Sequence, residues 1–178
     1  MTAATQKAQD GPSIGSDGRV HSVQCLDGPV TAMPQSVVEM ERMAEGYFSY
    51  VGRRLFHVVR ARPEGSRISF RLFPLTLLEF ERSRIEVTPD EAFITYLIEG
   101  GLLSAAADPA GSLTISVTPR SEETVRLCLE VSGYRPRLTE PMSGILYSRL
   151  QLPIHVWLGE GFVRWASAHE WGFGQRQE

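Results

Sequence analysis

Three strand-like runs followed by one long apolar segment dominate the second half of this chain. The runs are Ala92–Leu103, Ser112–Thr118 and Thr124–Tyr134, and the segment is Ser143–Ser167. Leu113, Ile115 and Val117 alternate with Thr114, Ser116 and Thr118. Val125, Leu127, Leu129 and Val131 alternate with Arg126, Cys128, Glu130 and Ser132. A period of two gives each strand one dry face and one wet face. Hairpins closed by a single C-terminal helix predict an α+β fold, in which a curved antiparallel sheet of six or seven strands wraps around that helix. Such a sheet and helix enclose a cavity with mostly apolar lining.

Upstream, Arg19–Leu26 alternates weakly and reads as a first strand ended by Asp27-Gly28-Pro29. Pro34 fits the first position of a helix, which Val37, Val38, Met40, Met43 and Ala44 continue at helical spacing. Gly46 is read as an end or a bend, with Tyr47–Tyr50 as a short second helix or aromatic turn. From Arg53 the period changes to two. Leu55, His57 and Val59 share one face, and Pro63-Glu64-Gly65-Ser66 reads as a hairpin turn. Arg67–Phe73 and Leu77–Val87 are further strands, with a bend or an edge at Pro74. Phe93–Ile98 is apolar on both faces and reads as a central strand. Gly100-Gly101 permits a bulge or a close backbone approach.

At 178 residues the chain has the size of one domain with one core, here residues 19–170. Residues 1–18 are small and polar, lack the basic start and apolar run of a signal peptide, and read as a disordered lead-in. Residues 171–178 read as a loose tail. A net charge of −3 without a basic stripe argues against a nucleic-acid partner. Arg149, His155, Glu160 and Pro153 argue against a membrane span in the last apolar segment. Cys25 and Cys128 have no metal-type spacing; a lone disulfide is allowed, but a reduced, cytoplasmic protein is the expectation.

Two passages carry a family likeness. One is Tyr96–Leu103 with Leu113–Pro119 and Thr124–Leu138; the other is Tyr147–His155 running to Gly161–Trp165. With the order strand, helix, antiparallel strands and long helix, they make the chain resemble the START-like (SRPBCC) superfamily. That superfamily includes the Bet v 1-like proteins and aromatic polyketide cyclases, and the chain is similar to its uncharacterised actinobacterial members over residues 19–168. The resemblance implies a helix-grip fold, with one face of the last helix and the short helices near Tyr47–Tyr50 bordering a cavity. Its members bind lipids, hormones and polyketides, and some are catalysts, so fold alone does not decide function.

No nucleotide-binding glycine loop, Gly-x-Ser-x-Gly elbow or His-Glu-x-x-His motif occurs, and the four histidines lack ligand spacing. Neither a metal nor a cofactor is expected. Tyr147, Gln151 and His155 fall at i, i+4 and i+8 and form one ridge on a continuous helix. A phenol, an amide and an imidazole there can polarise a carbonyl or shuttle a proton, which makes His155 and Tyr147 the catalytic candidates. The bland alternative is a core histidine satisfied by backbone or Gln151. The expected substrate wall is Tyr47, Tyr50, His57, Phe70, Tyr96, Met142, Gln151 and Trp157, for which core packing is the competing role. Glu79 and Glu81 are a further acid group, more often solvent-facing and paired with arginine.

Three functions compete. The first is a cofactor-independent cyclase of polyketide or polyene natural products, closing rings in an apolar pocket, with pericyclic cycloaddition or aldol-type closure as its chemistry. The second is a non-catalytic binder of a lipid or other apolar small molecule. The third is a subunit of a larger assembly, such as a homodimer, with Trp165–Phe173 as its interface.

Overall fold

The structure is a computed structural model and describes residues 13–105, 109–137 and 152–168, with side chains from 157 to 167 in the last segment. Eight strands form one open antiparallel sheet: β1 Ser13–Ile14, β2 Val20–Pro29, β3 Arg60–Glu64, β4 Arg67–Leu72, β5 Leu75–Val87, β6 Ala92–Gly100, β7 Gly111–Pro119 and β8 Thr124–Tyr134. Their order is β1-β2-β8-β7-β6-β5-β4-β3, so every neighbour is a sequence neighbour except the β2–β8 pair. Helices α1 (Val37–Arg54) and α2 (Leu152–Ala168) cover the concave face. This is the helix-grip architecture. Six of the strands occupy the runs named from sequence; β3 begins later than its expected run, and β1 is two residues of the lead-in paired to Val20 and His21.

Alternation decides which side chains turn inward. On β6, Ala92, Ile94, Tyr96 and Ile98 are buried, while on β7 and β8 Leu113, Ile115, Val117, Val125, Leu127 and Leu129 are. Gly101 follows β6 with φ +111°, and a Cβ there would sit 2.4 Å from the Leu77 carbonyl oxygen, so the loop passes close against β5.

Four readings of the sequence are corrected. Helix α1 does not begin at Pro34. Ser36 is its N-cap and accepts a hydrogen bond from Glu39 N, while Gln35 N donates to the Glu39 carboxylate. Gly46 neither ends nor bends α1. Met40, Met43, Ala44, Tyr47, Phe48 and Val51 recur at three- and four-residue spacing and are all buried. That burial outweighs the roughly 1 kcal/mol that glycine costs a helix interior. The strand expected from Arg53 starts only at Arg60, because α1 runs to Arg54 and a turn follows in which Phe56 (φ 53°) and His57 (φ 58°) are left-handed.

The fourth correction concerns the cysteines. Register sets Cys25 on β2 directly opposite Cys128 on β8, 4.2 Å apart at Cα, and they form a disulfide. Both sit on the outer face beside the Asp27–Arg126 ion pair, in which the arginine Nε lies 2.7 Å from Asp27 Oδ1. That arginine holds the Asp27 carboxyl below its ordinary range.

Helix α2 lies along β2 and crosses α1. Leu158, Phe162, Val163 and Ala166 form its buried stripe. Gly159 and Gly161 permit the closeness. A Cβ at 159 would be 2.4 Å from Gln24 Oε1, and one at 161 would be 2.2 Å from the Tyr50 hydroxyl. No helix of the described residues is long and apolar enough to cross a membrane.

Candidate functional site

The concave face is an aromatic wall. From the middle of α1, Phe48 packs against Phe70 of β4, Phe80 of β5 and Tyr96 of β6 at centroid distances of 5.5, 5.6 and 5.3 Å. Phe70 and Phe80 meet edge to face at 5.4 Å. These geometries match the ring quadrupole preference for tilted contacts. A second group lies where α1 meets α2: Tyr47 and Tyr50 flank Phe162, and Tyr50 lies against Trp165 at 5.6 Å. Phe48 and Tyr47 touch at 5.2 Å and join the two groups.

Polar groups on this wall are few, and its charges stand at the rim, where Arg82 of β5, opposite Tyr96, pairs with Glu41 of α1. The buried polar side chains among the described residues are Ser22, Gln24, Ser69 and Ser104, of which Ser69 turns to the outer face. Gln24 donates to Ser22 Oγ beneath Gly159 of α2. Tyr50 Oη accepts from Arg54 Nε at 2.9 Å, and Tyr134 Oη donates to the Leu103 carbonyl at 2.6 Å. Burial pushes the Tyr96 phenol up to about 12 and the Tyr47 phenol higher still. Both are therefore neutral donors at any physiological pH.

The structure brings together Tyr47, Tyr50, Phe70 and Tyr96 of the expected substrate wall, through Phe48 and Phe162. It places His57 in solvent, in the left-handed turn after α1, because the strand that would have turned it inward begins three residues later. Trp157 is 49% exposed, with the Arg54 guanidinium 5.8 Å from its ring centroid. Met142, Tyr147 and Gln151 lie outside the described residues, and of His155 only the backbone, in the first turn of α2, is described.

Sequence reasoning missed the buried Ser22–Gln24 pair. Its signal was present: Val20, Ser22 and Gln24 share one face of a strand by the period of two. Glu79 and Glu81 face outward. Glu81 lies 3.7 Å from Arg67, which also meets Glu99 at 3.6 Å, and a hydrogen bond with Glu81 raises the Glu99 carboxyl. Glu79 and Glu99 border a polar cleft of about 90 Å³ on the outer face, where Ser69 Oγ and Arg71 Nε are buried without hydrogen-bond partners. The cleft lies on the opposite side of the sheet from the aromatic wall. Among the described residues no three His, Cys, Asp or Glu side chains converge as metal ligands.

Solved structures similar in fold are distant in sequence. XoxI from Bacillus cereus aligns with a TM-score of 0.49 at 11% identity, over 83% of this chain and 94% of that one. The hypothetical protein jhp0584 from Helicobacter pylori aligns at 0.48 and 12% identity, over 93% and 99%. Norcoclaurine synthase from Thalictrum flavum aligns at 0.44 and 13% identity, over 95% and 98%. No family model matches the chain, and no curated protein matches it.

Proposed function

We propose that the protein binds an apolar small molecule of polyketide or polyene type between the concave sheet face and the C-terminal helix, and closes a ring in it without a cofactor. The observation that supports this reading is the wall itself: Phe48, Phe70, Phe80 and Tyr96 present rings, and no buried side chain among the described residues carries a charge. Such a wall offers confinement. Holding two reacting carbons in a near-attack geometry supplies effective molarities of about 10⁵–10⁸ M, with no proton transfer required. The neutral phenol of Tyr96 adds a donor that can polarise a carbonyl. Met142, Tyr147, Gln151 and Trp157 are proposed to complete the lining, with His155 and Tyr147 as the proton-handling pair in an aldol-type variant.

The test is turnover of linear polyene or polyketide chains, followed by mass spectrometry and a pH–rate profile. Confinement predicts a rate that varies little across pH 6–9 and falls more with Trp157→Ala than with His155→Ala. A bell-shaped profile abolished by His155→Ala assigns acid/base closure instead. A non-catalytic carrier is the second reading. It is favoured by one observation: burial holds the wall's phenols protonated, so neither is poised to exchange a proton near pH 7. Tight binding without turnover would establish it.

A further inference from the structure

The topology gathers four chain segments at one end of the sheet. Antiparallel order places there the turn entering β3, the β4–β5 turn, the segment leaving β6 and the exit from β8. Backbone bonds tie them: Leu102 N donates to Thr76 O, Arg137 N to Leu103 O, and Ala105 N to Arg135 O, while Arg60 pairs with Arg71.

These segments share an unusual chemistry. Phe73, at the tip of the β4–β5 turn, is 96% exposed, and Phe56, in the turn after α1, is 87% exposed. Val58, Leu75 and Leu102, on the same segments, are exposed too. Arg53, Arg54 and Arg60 flank Phe56 and Val58, and Arg135 and Arg137 flank the Leu102–Leu103 loop; all five are exposed. Residues 53–60, 72–76, 101–105 and 135–137 contain no Asp or Glu. This occurs in a chain whose net charge is −3. Asp17, on the β1–β2 turn of the same end, lies at the opposite edge of the sheet, 3.3 Å from Arg19; Glu79 and Glu99 stand just inside this end on β5 and β6, and the β6–β7 connection carries Asp108.

We propose that this end docks on an anionic lipid surface, with Phe73 and Phe56 entering the interface and the arginines meeting lipid phosphates. Exposed aromatic tips gain by leaving water at a bilayer interface, and five exposed arginines on segments that themselves carry no acid are complementary to anionic headgroups. A second copy fits poorly, since a two-fold pairing of this end would bring the same arginines face to face. Nucleic acid would engage the arginines but leave the aliphatic Val58 and Leu75 without use. The docking stands on this surface alone.

The experiment is co-sedimentation of the full chain with phosphatidylcholine vesicles, and with vesicles in which about a third of the lipid is phosphatidylglycerol. Binding is expected to the anionic vesicles only, and to weaken about tenfold or more as salt rises from low to several hundred millimolar. Phe73→Ser should lower partitioning about tenfold, and Arg135→Glu with Arg137→Glu about 25-fold or more, at fivefold per cation. Circular dichroism confirms folding of each variant, and binding of the neutral probe N-phenyl-1-naphthylamine in solution, without vesicles, reports separately on the interior. Equal binding to neutral vesicles, insensitivity to salt, or unchanged partitioning of Phe73→Ser and the arginine variant overturns the docking. Binding to a single-stranded oligonucleotide with no vesicle binding overturns it too, and assigns the end to nucleic acid.

Discussion

Burial keeps the phenols of Tyr47 and Tyr96 protonated far into alkaline solution. An unburied phenol ionises near 10, whereas Tyr96 in the fold ionises at about 12. The fold therefore prefers the neutral form. The stability linked to these groups is whole below pH 10 and drains away as pH climbs from about 10 toward 12. A difference titration of wild type against Tyr96→Phe, read by phenolate absorbance, should place the missing ionisation near 12; an inflection near 10 would count against burial of that ring. Gly161 offers a steric counterpart. Alanine in a helix ordinarily gains up to about 1 kcal/mol over glycine. Here its Cβ would meet the Tyr50 hydroxyl at 2.2 Å, and overpacking of this kind costs about 1–3 kcal/mol. Gly161→Ala should therefore lower stability in a denaturant titration, and Tyr50→Phe should make the same change less costly.

At the scale of elements, α1 is the plug that ties the sheet together. Phe48 touches Tyr47, Phe70, Phe80 and Tyr96, so truncation would leave a cavity bordered by three strands. Phe48→Ala should cost about 3–5 kcal/mol. Phe73→Ala, at an exposed turn, should stay within about 0.5 kcal/mol. Urea midpoints for the pair would test the contrast, and similar losses for both would contradict this packing. The strands were readable because alternation of Leu113, Ile115 and Val117, or of Val125, Leu127 and Leu129, is a local property with one solution against a single core. The extent of α1 was harder. Ser36 and Glu39 carry the spacing of an N-cap pair, but nothing local says that Gly46 is spanned. Burial of Met43, Phe48 and Val51 on either side decides that.

For the whole molecule, the β2–β8 pair is the long-range join, and Cys25–Cys128 staples it across a separation of 103 residues. Closing a loop of that size in the unfolded chain contributes about 4–5 kcal/mol in the chain-entropy view. Cys25→Ser with Cys128→Ser should therefore lower stability by up to about that amount, without altering the native far-ultraviolet spectrum. A double variant as stable as wild type would show that strand pairing alone holds the join. Such a bond persists where the surroundings are oxidising. The sequence alone determined six of the strand runs, the closing helix over its described residues 152–168 and the apolar character of the concave face, because each follows from local side-chain periodicity; residues 143–151 of the expected helix lie outside the described residues. Only the tertiary structure decided that Cys25 faces Cys128, that His57 leaves the wall for solvent, and that Phe56 and Phe73 share one end with Arg60 and Arg135. Those placements depend on register and on chain direction, which bring together residues that local pattern leaves far apart.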